Sequence, residues 1–269
     1  EERRGRRVGA GIEYADHRDY APGDDPRYLD WGAYGRLEKL LVRLYEEEED
    51  LHVYLLIDAS ASMRMGGKFD QARRIAAGLS YVSLANMDRA QVVSIGGGGG
   101  GGGTRAAETA RTPARGRGQI FPILDELRAM EAAGPTDLGA GIEAFLRRGP
   151  RRGLAVVLSD FFDEAGYERA LDRLRHHRFE TAAVQLVDGA DARPAAAGDV
   201  ELLDCESGER LLATLTPALL QAIAREHRAF CDGLAAFAAA RGIAYVRAET
   251  HVPFDELVLR LFRERGLLS

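Results

Sequence analysis

Short apolar runs and longer helical periods take turns along this chain. HVYLLID (52–58) lacks the polar alternation of a half-exposed strand and predicts a central strand covered on both faces. Further strands are predicted at 90–95, 154–158, 181–187 and 243–246. Between them, Phe69, Ala72, Ile75, Ala76, Leu79 and Val82 recur at helical spacing within 68–86. Helices are also expected over 120–130, 138–146, 167–176, 217–240 and 254–263; Pro217 lies in the first turn of the long one and Gly242 near its end.

Strands that alternate with helices imply βαβ crossovers. The expected class is α/β: a doubly wound, mainly parallel sheet flanked by helices, occupying residues 51–269. Residues 1–50 read as an N-terminal extension packed on that domain. Within them KLLVRLY (39–45) alternates like a strand and EEEED (46–50) reads as a solvated run. Weak strands at 200–203 and 210–213 suggest a hairpin around Glu206-Ser207-Gly208. Eight consecutive glycines, 96–103, fit a compact fold poorly and read as stand-ins for other residues, so no function is inferred from them. There is no internal repeat.

Composition narrows the class. Of 269 residues, 46% are hydrophobic and 29% charged, as in a soluble globular protein with a sizeable core. A formal charge of −6 argues against nucleic acid as a partner. Cys205 and Cys231, the only cysteines, make no disulfide framework and are expected to be reduced. No apolar run is long enough to span a membrane, and the opening EERRGRR is no signal peptide; it looks like the middle of a longer chain. A cytoplasmic location is expected.

The candidate chemistry lies at strand ends. In an open α/β sheet, ligands bind beyond the carboxyl ends of the strands, where strand order reverses. Asp58 closes one predicted strand and Asp160 follows another, Ser60 and Ser62 come two and four residues after Asp58, and Thr136 lies in a GPTD turn before a helix. Carboxylates and hydroxyls are hard oxygen ligands suited to Mg²⁺, with Mn²⁺ as the alternative. Few direct anionic ligands would leave the ion net positive, so a partner's carboxylate could complete its shell. The plain alternative is that Asp58, the serines and Thr136-Asp137 only cap helices. Lys68 reads first as a surface lysine, second as a counter-charge near this rim.

This pattern resembles the metal-ion-dependent adhesion site of von Willebrand factor A-type domains. Their Asp-x-Ser-x-Ser motif matches Asp58, Ser60 and Ser62; their threonine and later aspartate match Thr136 and Asp160. The preceding segment resembles the DUF58 family more selectively, through Arg18, Tyr20, Pro22, Gly23, Asp24, Asp25, Arg27, Asp30 and Trp31. The two likenesses cover about residues 9 to 190. They imply a doubly wound fold with a divalent cation at its top, and action beside a MoxR-type AAA+ ATPase on an unidentified client. The residues themselves also permit a structural role for the signature: Pro22-Gly23 as a turn, Asp24 and Asp25 on backbone N–H groups, Arg27 paired with Asp30, and Trp31 as an anchor.

No nucleophile system stands out, because His17, His52, His176, His177, His227 and His251 are scattered. A phosphate-binding loop with its lysine is absent, so the chain should not hydrolyse ATP itself. Metal-dependent protein binding is therefore the leading expectation. The alternatives are a metal-dependent phosphoryl hydrolase and a purely structural interaction protein.

Overall fold

The structure, a computed structural model, describes residues 8–9, 13–46, 50–97, 112–194, 196–253 and 256–257. It divides into two compact units, residues 1–50 and residues 51–269. In the first, strands β1 (Val8–Gly9) and β2 (Glu13–Asp19) flank β3 (Leu41–Glu46), both antiparallel to it. Between β2 and β3 lies helix α1 (Trp31–Leu37), started by the Asp30 carboxylate, which accepts from the Ala33 N–H at 3.0 Å.

The second unit follows the expected doubly wound plan. Strand β4 (His52–Asp58) is central; helix α2 (Lys68–Ala85) leads to β5 (Arg89–Ile95) on one side. A two-residue strand β6 (Ala114–Arg115), not anticipated, closes that edge antiparallel to β5. After helices α3 (Ile120–Ala129) and α4 (Leu138–Arg147), β7 (Leu154–Ser159) pairs with the opposite side of β4. Helix α5 (Glu168–His176), strand β8 (Glu180–Val187) and the short helix α6 (Gly189–Ala192) follow. Strands β9 (Gly198–Leu203) and β10 (Arg210–Leu215) form a hairpin of their own. Helix α7 (Pro217–Arg241) then precedes β11 (Ala244–Glu249), giving a sheet order, among the described residues, of β11-β8-β7-β4-β5-β6. Every pairing in it is parallel except β5 with β6.

Burial on both sheet faces explains the unbroken apolar runs. Val53, Leu55 and Ile57 pack with Ile75 and Leu79 of α2 and Ile123 of α3. Tyr54 and Leu56 face the other way, against Ile142, Leu171 and Leu234. The α7 boundaries follow from its caps: Thr216 accepts from the Leu219 N–H, Pro217 opens the helix, and Gly242 closes it at φ 64°. No helix among the described residues is long and apolar enough to cross a membrane. Of the expected helix 254–263 only 256–257 are described; Gly98–Gly103 and Glu47–Glu49 also lie outside the described residues.

One turn fixes the entry to α2. Gly66 sits at φ +60°, and a Cβ there would come within 2.3 Å of the Asp188 side chain, itself bonded to Thr250 at 2.9 Å. Gly66→Ala is expected to destabilise the protein by at least about 2 kcal/mol, the cost of a left-handed non-glycine plus overpacking. Urea unfolding checks this; a loss below about 0.5 kcal/mol, the scale of an ordinary surface change, counts against it.

Candidate functional site

The chain leaves β4 for β5 on one side and later returns to β7 on the other, so strand order reverses between β4 and β7. Asp58 and Ser159 end these two neighbouring strands, and Asp160 follows directly. All three are fully buried. The Ser159 hydroxyl donates to Asp58 Oδ2 at 2.5 Å and accepts from the Phe161 N–H at 2.8 Å. Phe161 takes a left-handed φ of 62°, uncommon for a buried aromatic residue, which redirects the chain just after Asp160.

Two loops complete this rim. Asp58 Oδ1 accepts from the Ser60 N–H at 2.9 Å, turning the chain back so that the Ser60 and Ser62 hydroxyls lie 3.0 Å apart. Backbone bonds from Ala61 to Gly134 and from Ala133 to Ala59, each 2.8 Å, lace this loop to the one carrying Thr136. A Cβ on Gly96 would lie 2.9 Å from Asp58 Oδ1 and 3.9 Å from the Asp137 nitrogen, so the Asp58 carboxylate and the Thr136-Asp137 turn flank one point. Gly96 and Gly97 are both at positive φ, and a Cβ on Gly97 would meet the Ala59 carbonyl at 2.4 Å. The start of the glycine tract therefore answers a steric demand.

Asp58, Ser60 and Ser62 are thus joined by hydrogen bonds, Asp160 follows Ser159 beside them on Lys68, and Thr136 is on the adjoining loop. Thr136 is already engaged: its N–H and hydroxyl donate to the two oxygens of Glu206, at 2.9 and 2.6 Å. Asp137 caps α4 through the Ala140 N–H at 2.7 Å. Capping and convergence coexist here, carried by different residues.

Lys68 corrects the expectation of a surface lysine. It is 2% exposed, donating to Asp160 Oδ2 at 2.8 Å and lying 3.5 Å from Asp191 Oδ1. Burial alone would lower its pKa, but the two carboxylates outweigh this and raise it. Among the described residues, no such cation lies beside Asp58. Burial, assisted by the Asp160 charge, lifts its carboxyl from the usual 3.8 to about 6, against the pull of Ser159 and Ser60.

The donor set suits a hard divalent cation. Hydroxyls and two carboxylates are what Mg²⁺ accepts, and a cation would relieve the cost of ionising Asp58 beside Asp160. Among the described residues no three His, Cys, Asp or Glu side chains cluster as metal ligands, so any ion here would depend on the hydroxyls.

The N-terminal signature residues form local bonds within their own unit. Arg18 grips Asp24 with two nitrogens, at 2.6 and 2.7 Å, and Asp24 also accepts from the Ala21 N–H at 2.8 Å. The Arg18 hydrogen bonds hold the Asp24 carboxyl down at about 2. Pro22 and Gly23, the latter at φ 110°, lie inside a turn closed by the Asp24 N–H on the Ala21 carbonyl; Tyr20 bonds its backbone N–H to the Leu40 carbonyl. Two expectations are corrected. Arg27 pairs with Asp25, two residues away, rather than with Asp30, whose carboxylate is taken by the α1 cap and by His17 Nε2 at 2.7 Å. Trp31, expected as an anchor, is 63% exposed at the first position of α1, edge-on to Tyr34.

Sequence reasoning missed Ser159, Asp191 and Glu206 as rim residues. Ser159 had a signal, as the last residue of a buried strand next to a singled-out aspartate. Asp191 and Glu206 had none, because their contacts span 123 and 70 residues.

Residues 16–230 match the profile of a family described as "Protein of unknown function DUF58". An uncharacterised protein of Mycobacterium tuberculosis is 34% identical over 232 residues, covering 82% of this chain and 70% of its own length; an uncharacterised protein of Mycobacterium bovis matches to the same degree. Among solved structures, BatB from Bacteroides thetaiotaomicron superposes with a TM-score of 0.44 at 13% identity, covering 80% of this chain and 99% of BatB. An aerotolerance-related membrane protein from Bacteroides fragilis gives a TM-score of 0.45 at 19% identity, covering 81% and 100%. Structural likeness of that degree carries no functional weight.

Two substitutions test the electrostatics. Because the folded-state pKa of Asp58 lies above its unfolded value, its contribution is fully present below pH 3.8 and is lost as pH rises through about 6. In EDTA, Asp58→Asn should therefore gain about 2.5 kcal/mol relative to wild type between about pH 4 and about pH 7.5, at roughly 1.4 kcal/mol per pKa unit. Urea unfolding at both pH values measures it, and a pH-independent difference contradicts it. Lys68→Met strands the buried Asp160 charge and should cost about 3–5 kcal/mol at neutral pH; a neutral result in the same assay would mean Asp160 does not need its partner.

Proposed function

Since this chain belongs to the DUF58 family, with residues 16–230 matching that family's profile, we propose that the rim is a metal-ion-dependent adhesion site of the von Willebrand factor A type. In this reading Asp58, Ser60, Ser62, Thr136 and Asp160 hold a Mg²⁺ ion, with Mn²⁺ as the alternative, for recognition of a carboxylate on another protein. When bound, the ion supplies a positive centre with an open coordination position. The protein's own residues do the rest. Ser159 and the Ser60 N–H orient the Asp58 carboxylate, Lys68 neutralises Asp160, and the paired Ser60 and Ser62 hydroxyls offer uncharged oxygens.

The observation that carries this reading is that hydroxyl pair, 3.0 Å apart, beside an acid made reluctant to ionise at the point of strand reversal. Binding is favoured over phosphoryl hydrolysis because the Ser60 and Ser62 hydroxyls bond to each other at 3.0 Å and, among the described residues, no histidine stands beside them as a base. The partner this reading names is a MoxR-type AAA+ ATPase, which the family resemblance implies, acting on a client still to be identified.

Pull-down of a purified MoxR-type ATPase decides it. Recovery is expected in Mg²⁺, with a drop of about ten-fold or more (roughly 1.4 kcal/mol) in EDTA, for Asp58→Ala and for Ser62→Ala. Equal recovery under all four conditions refutes metal-gated binding.

A further inference from the structure

The β9–β10 hairpin is exposed along its outer half. From residue 201 to residue 212 every residue is exposed except Glu206, which is half-buried. The tip is pre-shaped around that residue. Asp204 accepts from the Glu206 and Ser207 N–H groups at 2.7 and 3.0 Å, and Gly208, at φ +76°, donates to the Asp204 carbonyl at 3.0 Å. Of the acids at the tip, Glu206 is the one that meets the rim, and Thr136 clamps both its oxygens. Leu203 and Leu212 beside it are 62% and 82% exposed, so the tip is not held by apolar burial.

An acid fixed across 70 residues to Thr136, a candidate ligand hydroxyl on one of the two rim loops, is in the place of an incoming acid. We propose that Glu206 is a tethered carboxylate ligand of this rim, occupying its Thr136 side in the resting chain, so that a partner's acid binds only after the hairpin has swung away. The proposal rests on the acid-binding reading above and adds its regulation. A tethered competitor acts at a high effective concentration set by its short span, so even a weak contact of this kind holds off a free ligand. The hairpin can leave without unravelling the core, because among the described residues β9 and β10 pair only with each other.

The test uses the whole chain and an immobilised tetraglutamate peptide in Mg²⁺, with amide hydrogen exchange followed at 198–215 and at Thr136. Glu206→Ala and the near-isosteric Glu206→Gln are expected to bind the peptide about ten-fold more tightly than wild type. Their hairpin and Thr136 amides are expected to exchange about ten-fold faster, and a Glu206→Ala/Ser62→Ala double variant to lose the gain in affinity. Equal peptide binding by wild type and both variants overturns the tether but leaves the acid-binding reading standing. Faster exchange without tighter binding, or the reverse, also overturns it, since Glu206 would then be only a structural clasp or no clasp at all. Failure of every protein to bind the peptide in Mg²⁺ overturns both proposals.

Discussion

Two acids buried side by side at neighbouring strand ends set the terms for everything around them. Asp58 and Asp160 lie out of water where β4 and β7 finish, and a low-dielectric environment makes each charge costly to the other. The fold answers the two differently. Asp160 receives a buried ammonium from the first residue of α2, and a backbone N–H from Phe162 at 3.2 Å. Among the described residues Asp58 receives only neutral donors, and so remains the acid with unmet electrostatic demand. That asymmetry makes one end of the sheet chemically distinctive: among the described residues of the second unit, the buried charged side chains are Asp58, Lys68 and Asp160.

Supporting features around the pair form one connected system. Gly66 lets the chain pass Asp188 and deliver Lys68; Asp188 caps α6, which carries Asp191 to the same ammonium. The left-handed turn at Phe161 frees its N–H for Ser159, which in turn orients Asp58. Strain of this kind costs on the order of 1–3 kcal/mol and persists only where surrounding contacts fix it.

Much of the architecture was legible because parallel strands buried on both faces cannot hide their apolar runs. HVYLLID and LAVVL announce themselves, and the strand ends put Asp58 and Asp160 where a doubly wound sheet gathers ligands. Side-chain partners were another matter. A lysine opening a helix looks like surface, and only a contact with an aspartate 92 residues away makes it core. Arg27 had two aspartates within reach, and the choice of Asp25 followed from Asp30 being consumed as a helix cap. The hairpin itself was visible through its turn residues. What its tip touches was not, since strand pairing says nothing about where an isolated two-stranded ribbon is aimed.

The ribbon also behaves as a molecular ruler. Six residues in β9, at about 3.3 Å each, carry the tip roughly 20 Å from its root. Removing one residue from either strand would flip the faces of the residues beyond it, and removing two would restore the facing but shorten the reach by about 7 Å. Parity and length are therefore constrained together, independently of which amino acids line the strands. Among proteins sharing this architecture, the count of residues between β8 and α7 becomes a more telling character than the identity of any single leucine on the ribbon.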